Sequence, residues 1–172
     1  MKYKQLSLII ILLTGFFSLK ITGQTDPARQ WPGFRGYMSS GVLDNANLPE
    51  SFDLNKMINI RWKIEIPGLG LSSPVIWDNK LFITTAVSTA DKDGFKPGIY
   101  GDIEPVNDSS EHEWKVLCLD KNTGKLIWER TSYKGIPMMK RHPKSTHANT
   151  SVATDGKYVV AFFGSEGLFF YD

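Results

Sequence analysis

The sequence predicts an all-β protein made of four-stranded antiparallel sheets that stack face to face. Two observations support this prediction. Aromatic residues make up 12% of the 172-residue chain, and they occur with β-branched residues in runs of strand length. Segments with the order strand, turn, strand, loop, strand also recur along the chain, and such self-similarity is typical of repeat proteins.

The N-terminal segment 1–23 has the pattern of a secretory signal peptide. Two lysines precede an almost wholly apolar run at residues 6–19, and polar residues follow it. Gly23 supplies a small residue before the expected cleavage. An uncleaved anchor is the alternative, but a membrane span needs about 20 apolar residues. We therefore expect an exported protein, periplasmic or extracellular, with no membrane span after cleavage.

Residues 24–59 are rich in Pro, Gly, Asn and Ser, which predicts an irregular segment that wraps the surface. The net charge of +2 gives no reason to expect nucleic acid or an anionic membrane as a partner. Cys118 is the single cysteine, so an intramolecular disulfide is impossible. It lies between two leucines, and we expect it to be a buried, inert core residue.

Strand patterns extend from residue 60 to residue 172. Segment 60–66 alternates apolar and polar residues, which predicts a strand with Trp62 and three isoleucines on one face. Further predicted strands lie at residues 73–77, 80–86, 115–119 and 125–128, and apolar runs of strand type lie at 158–163 and 167–171. Between two of them, the Asp120 side chain can bond to the turn backbone and Gly124 can adopt positive φ.

Two internal alignments define the repeat. The stretch SSPVIWDNKLFIT, from Ser72, matches NTSVATDGKYVVA, from Asn149. This alignment pairs three residues with three others: Asp78 with Asp155, Lys80 with Lys157 and Phe82 with Val159. The stretch VLCLD, which ends at Asp120, matches LFFYD, which ends at Asp172. RWKIEI resembles IWERTS at the tryptophan and the neighbouring cation.

Runs such as YVVAFF and GLFFY are apolar on both faces of the predicted sheet. Both faces can be buried only if sheets stack on each other, as they do in a radial β-propeller. The tryptophan that closes each unit is then expected to wedge against the neighbouring sheet.

The stretch DKNTGKLIW resembles the Asp-x-x-Thr-Gly-Lys-x-x-Trp signature of pyrroloquinoline-quinone-like (PQQ-like) β-propeller repeats. The repeat positions are Asp120, Thr123, Gly124 and Trp128, with Trp62, Asp155, Gly156 and Asp172 in the other units. The resemblance covers residues 31–172 and implies a partial β-propeller in residues 60–172, with about one and a half to two blades present. A turn and a strand ending in Trp should follow Asp172, so we expect the N-terminal piece of a longer protein.

The resemblance implies more about fold than about activity. No catalytic residue is identifiable, and we expect an exported scaffold that binds a protein or small ligand through its loops. The alternative is the N-terminal part of a PQQ-dependent quinoprotein dehydrogenase, which would use PQQ with calcium. Many such enzymes have a disulfide of adjacent cysteines, which Cys118 cannot supply, and no residue matches their catalytic Asp. No cofactor is otherwise evident.

A long acidic insertion separates two predicted strands, between Ala86 and Lys115. Its acidic residues are Asp91, Asp93, Asp102, Glu104, Asp108, Glu111 and Glu113. Loops of this length are often functional, and carboxylates suit a divalent cation. The stretch DKDG lacks a downstream Glu at calcium-loop spacing, however. We therefore favour a solvated acidic loop and predict no metal site.

The stretch RHPKSTHANTS carries the candidate binding residues Arg141, His142, Lys144 and His147. Pro143 indicates an irregular loop that leads into a strand. The four side chains could bind an anionic ligand by paired hydrogen bonds. In the structural alternative, which we favour, His147 caps a turn and the cations are solvated. The histidine spacing is compatible with zinc, but no Cys pair or adjacent acidic ligand supports such a site.

Overall fold

The computed structural model describes residues 25–44, 46–90, 96, 98, 101 and 104–172. In this part of the chain there are seven β-strands and three short 3-10 helices, and no α-helix. The predicted all-β class is therefore confirmed. The predicted signal peptide lies outside the described residues. None of the helices in the described ranges has the length and apolar character needed to cross a membrane.

The strands form two antiparallel sheets, and in each sheet the spatial order follows the chain order. The first sheet contains β1 (Val75–Trp77), β2 (Lys80–Ser88), β3 (His112–Asp120) and β4 (Leu126–Gly135). The second sheet contains β5 (Ala153–Thr154), β6 (Val159–Phe162) and β7 (Leu168–Tyr171). The 3-10 helices are Pro27–Arg29, Tyr37–Ser39 and Gly164–Glu166.

The turn between β3 and β4 has the predicted Asp and Gly geometry. A carboxylate oxygen of Asp120 accepts the backbone N–H groups of Asn122 and Thr123, at 3.0 and 2.8 Å, and the Thr123 hydroxyl at 2.9 Å. Gly124 has φ 71°, a conformation that glycine adopts without steric cost. These bonds fix the turn that joins the two longest neighbouring strands.

The core lies between the two sheets. Its buried residues include Val75, Phe82, Trp114, Val116 and Cys118 from the first sheet, and Val159, Ala161 and Phe163 from the second sheet and its flank. Trp128 of β4 lies with its ring centroid 6.0 Å from that of Tyr171 in β7. The expected wedging of Trp128 against the neighbouring sheet is confirmed. Each large apolar side chain buried in this way contributes about 1.5–3 kcal/mol to folding.

Cys118 is fully buried in β3, as the sequence predicts. Burial raises the pKa of its thiol to about 11. Because the thiolate is the reactive form, a thiol with this pKa is inert at neutral pH. Cys118 therefore acts as a small apolar core residue.

The strand pairing corrects the first internal alignment by one residue. Phe82 pairs with Cys118 across β2 and β3, and Val160 pairs with Phe170 across β6 and β7. Since the second alignment makes Cys118 equivalent to Phe170, Phe82 is equivalent to Val160. The predicted equivalence with Val159 is wrong.

The turns support the same correction. Asp78 is equivalent to Gly156 rather than to Asp155, and both residues have positive φ, 52° and 90°. Lys80 is likewise equivalent to Tyr158 rather than to Lys157. A shift of one residue moves every side chain of a strand to the other face of its sheet. The internal alignment therefore assigned the faces of β6 incorrectly.

Segment 60–66 is not a strand in this structure, contrary to the prediction. Among the described residues its backbone makes no backbone hydrogen bond, because no neighbouring strand lies beside it. Trp62 is instead fixed by its side chain, whose Nε1 donates to the Lys121 carbonyl at 2.8 Å. Its ring lies against Gly124, where a Cβ atom would come within 2.7 Å of it.

The leading segment connects the two sheets at one edge. Trp31 and Ile76 exchange backbone hydrogen bonds, with N–H to oxygen distances of 3.0 and 2.8 Å. One residue further on, the Pro32 carbonyl accepts the N–H of Thr154 at 2.8 Å. The segment therefore adds backbone pairing to β1 of the first sheet and to β5 of the second.

Candidate functional site

The segment between β4 and β5, residues 136–152, carries the four predicted binding residues. Its local structure depends on Asn149, whose Oδ1 accepts both the N–H and the hydroxyl of Thr146 at 2.9 Å. His142 Nδ1 accepts the N–H of Lys144 at 3.1 Å. His142 thus caps a turn, and the expectation that His147 does so is wrong.

This segment packs against the end of the long β2–β3 connection. The Arg141 carbonyl accepts the N–H of Val106 at 2.9 Å, and the Pro143 carbonyl accepts that of Lys96 at 3.0 Å. Pro143 is fully buried at this contact. The two connections therefore form one structural unit at the end of the sheets.

Three of the four predicted residues line one cleft of about 260 Å³ between this segment and the 3-10 helix at 164–166. They are Arg141, His142 and His147, whereas Lys144 lies outside the cleft. Other lining residues include Lys140, Ser145, Thr146, Asn149, Ser165 and Glu166. The sequence analysis missed Lys140, although its charge next to Arg141 was a usable signal.

A much smaller cavity of about 20 Å³ lies behind the cleft, enough for about one water molecule. Its polar lining comes from Ser88, Asp108, His112, Arg141 and His147. Arg141 and His147 line both spaces. These two side chains therefore form the wall between the open cleft and the interior.

Asp108 is the centre of a hydrogen-bond network in this interior. It accepts the hydroxyls of Ser88 and Ser110, at 2.9 and 2.5 Å, and the N–H of Ser110 at 3.0 Å. His112 Nε2 lies 3.5 Å from the same carboxylate. Burial opposes ionisation of Asp108, but these hydrogen bonds outweigh it and lower its pKa to about 2. The carboxylate is therefore charged throughout the physiological pH range.

Two histidine rings and an indole pack together next to this network. The ring centroids of His112 and His147 are 5.1 Å apart, and the ring of Trp114 lies within 5.8 Å of both. Burial, followed by the proximity of His112, lowers the pKa of His147. His147 is therefore neutral at pH 7 and can offer a hydrogen bond but no charge.

Serine, histidine and aspartate occur together here without the arrangement of a hydrolase triad. A triad requires an imidazole nitrogen that accepts the proton of the nucleophilic hydroxyl. The Ser88 and Ser110 hydroxyls donate to Asp108, while the His112 nitrogens face the Ser110 carbonyl and the Asp108 carboxylate. This geometry holds the loop in place and activates no serine.

In the described ranges no group of three or more His, Cys, Asp or Glu side chains is arranged to hold a metal. Asp91, Asp93 and Asp102 of the acidic insertion lie outside those ranges. Glu111 and Glu113 form ion pairs with Lys134 at 3.0 and 3.3 Å. These two carboxylates are therefore paired with a lysine.

No family model matches this sequence, and no curated protein matches it significantly. The resemblance to PQQ-like repeats therefore stays a prediction that rests on the motif and on the pattern of strands.

Proposed function

We propose that the protein is an exported, non-catalytic scaffold of the PQQ-like β-propeller type that binds a small anionic ligand in the 260 Å³ cleft. The observation that carries the proposal is the convergence of Lys140, Arg141, His142 and His147 on that cleft. These residues all belong to the segment between β4 and β5, residues 136–152, and the two sheets hold this segment in position.

The charge of the cleft favours an anion. Lys140 and Arg141 contribute two positive charges, and Glu166 contributes the opposing negative charge. Both carboxylate oxygens of Glu166 already accept hydrogen bonds, from the Met138 N–H at 3.1 Å and the Ser165 hydroxyl at 3.0 Å. Cationic side chains therefore outnumber acidic ones among the residues that line the cleft, and its acidic side chain is held by hydrogen bonds to neutral groups.

The size of the cleft restricts the ligand. Sites for drug-sized molecules enclose about 300–1,000 Å³, so this cleft suits a small carboxylate or phosphate. Arg141 is 7% exposed, and its Nη1 donates to the Ser145 carbonyl at 3.3 Å. Its guanidinium is thus held at the cleft wall before any ligand arrives, which reduces the entropic cost of binding.

Isothermal titration with inorganic phosphate and with citrate tests the proposal. Lys140→Gln should weaken binding about tenfold, because a hydrogen bond to a charged group contributes about 1.5 kcal/mol. Lys144→Gln is the matched control, since it removes the same charge from the same connection outside the cleft. Equal losses in both variants, or the absence of binding to either anion, would show that the cleft is not the site.

A further inference from the structure

The chain contains three histidines, and all three lie at the cleft or directly behind it. Two of them are already committed to contacts within the protein. The ring nitrogens of His112 face the Ser110 carbonyl and the Asp108 carboxylate. His142 Nδ1 accepts the N–H of Lys144 and thereby holds a turn.

His147 differs from the other two histidines in this respect. Within the described ranges neither of its ring nitrogens donates or accepts a hydrogen bond, and only its carbonyl does so, from the Trp114 indole at 3.2 Å. The residue is partly buried, and it lines the open cleft as well as the small cavity behind it. Both ring nitrogens are therefore available to a ligand and to a proton.

Charged and titratable side chains from four elements act on the His147 ring. Burial, His112 of β3 and Arg141 of the same connection all disfavour its protonated form. Glu166 of the 3-10 helix and Asp108 of the β2–β3 connection favour that form. The opposing groups prevail, which lowers the pKa of His147 and leaves its ring neutral at pH 7 when no anion is bound.

A bound anion changes this balance. Lys140 and Arg141 line the same cleft of about 260 Å³, so an anion that these cations attract lies next to the His147 ring. An opposite charge within about 4–6 Å shifts a pKa by about 1–3 units in favour of the charged form. The imidazolium then offers the anion a third positive charge and a charge-assisted hydrogen bond.

We propose that His147 takes up a proton when an anion enters the cleft, so that the cleft binds anions more tightly as the pH falls. The inference rests on the proposed anion site and adds the regulation of that site. It also specifies the ligand class. Three cationic side chains then line the cleft against the single carboxylate of Glu166, which suits a doubly charged anion.

The direction of the effect follows from proton linkage. A group whose pKa is higher in the complex than in the free protein binds a proton on complex formation, so its contribution to affinity grows as the pH falls. Each unit of pKa shift corresponds to about a tenfold change in affinity. Asp108, with a pKa of about 2, stays charged well below the range in which His147 titrates. The wall of the cleft therefore keeps its structure there.

Isothermal titration of the full chain with sulfate tests the inference. Sulfate stays a dianion over the whole range, so any change of affinity with pH belongs to the protein. Binding should be roughly tenfold tighter at about pH 5 than at about pH 8. His147→Gln can still form hydrogen bonds but cannot take up a proton, so its affinity should be nearly the same at both pH values. His142→Gln is the matched control, because it removes the other imidazole of the cleft and should retain the pH dependence.

A second measurement needs no variant. The imidazole signals of the three histidines can be followed by NMR as the pH is changed, with and without saturating sulfate. Sulfate should raise the pKa of His147 by about one unit or more, and it should move the other two histidines less. An unchanged titration of His147 in the presence of bound sulfate would overturn the inference.

The remaining outcomes separate this inference from the anion site on which it rests. Sulfate binding that does not vary with pH, or that varies equally in His147→Gln, would overturn the inference and leave the site in place. Binding of phosphate without any binding of sulfate would also overturn it, because proton uptake driven by charge applies to both anions. Failure of phosphate, citrate and sulfate alike would remove the anion site itself.

Discussion

The two sheets contain equivalent strands in very different surroundings. Val116 in β3 is fully buried, whereas the equivalent Leu168 in β7 is 53% exposed. Both residues stand in apolar, strand-forming sequence, and both strands pair with a neighbour in the same register. The comparison shows that a strand pattern specifies the sheet, while the neighbouring sheet decides whether a given face is buried.

The largest expected effect comes from truncating these two equivalent residues. Val116→Ala should reduce the free energy of unfolding by between about 2 and 3 kcal/mol, because it removes buried methyl groups and leaves a cavity. Leu168→Ala should cost less than about 0.5 kcal/mol, as is usual at exposed sites. Urea denaturation of both variants measures the difference. A large loss in Leu168→Ala would contradict the exposure of its side chain in the structure.

The second comparison concerns the connections within the sheets. The β2–β3 connection contains the Asp108 network, whereas β6 and β7 are joined by a short 3-10 helix, Gly164–Glu166. The pKa of Asp108 is about 2 in the folded protein, below its ordinary value of 3.8. Its ionisation therefore stabilises the folded state above about pH 4, by about 2 kcal/mol, and this contribution is lost as the pH falls to about 2.

Unfolding measured at a series of pH values tests this prediction. Asp108→Asn should reduce stability at neutral pH and remove the loss between about pH 4 and pH 2. Glu104→Gln, an exposed acid in the same connection, should leave the acid-dependent loss in place. An Asp108→Asn variant with an unchanged acid profile would contradict the assignment.

The smallest expected effect distinguishes the two equivalent turn positions. Gly156 and Asp78 both have positive φ, and a Cβ atom at Gly156 would clash with the Trp77 indole. Gly156→Ala should cost about 1 kcal/mol or more, from the left-handed backbone and from displacement of the Trp77 ring. Gly33→Ala is the control, because a Cβ there meets no atom within 4 Å. Equal thermal stability of the two variants would contradict the explanation.

Much of the fold could be predicted from the sequence, because alternating apolar residues and the Asp–Gly turn are local signals. The β3–β4 hairpin is the clearest case, since Asp120 and Gly124 act within a single turn. The alignment error arose because Asp155 precedes its turn while Asp78 lies within one. The two aspartates are the same residue type at different positions of equivalent turns, and only the pairing of the strands reveals this difference. The prediction of a strand at residues 60–66 was wrong because alternation of apolar and polar residues does not specify a neighbouring strand to pair with.

The candidate site was predicted only in part, because long-range packing decides which residues of a loop converge. Arg141 and His147 reach the cleft wall since the β2–β3 connection packs on Pro143, a contact that spacing does not indicate. Asp108 appeared in the sequence as an ordinary member of an acidic loop, and His112 was not singled out. Asp108, Ser110 and His112 occupy every second position, which was the available sign of a shared face. That spacing indicates a hydrogen-bond network only once the structure places Ser88 of β2 beside them.

The contacts between tryptophan and glycine have an evolutionary consequence. Three times among the residues that the structure describes, an indole rests on a glycine with positive φ: Trp31 on Gly36, Trp62 on Gly124 and Trp77 on Gly156. Any side chain at the glycine would displace the ring, and it would also be strained by the positive φ of that position. In diverging relatives, a retained tryptophan of such a pair should therefore be accompanied by its glycine, even where more than sixty residues separate them.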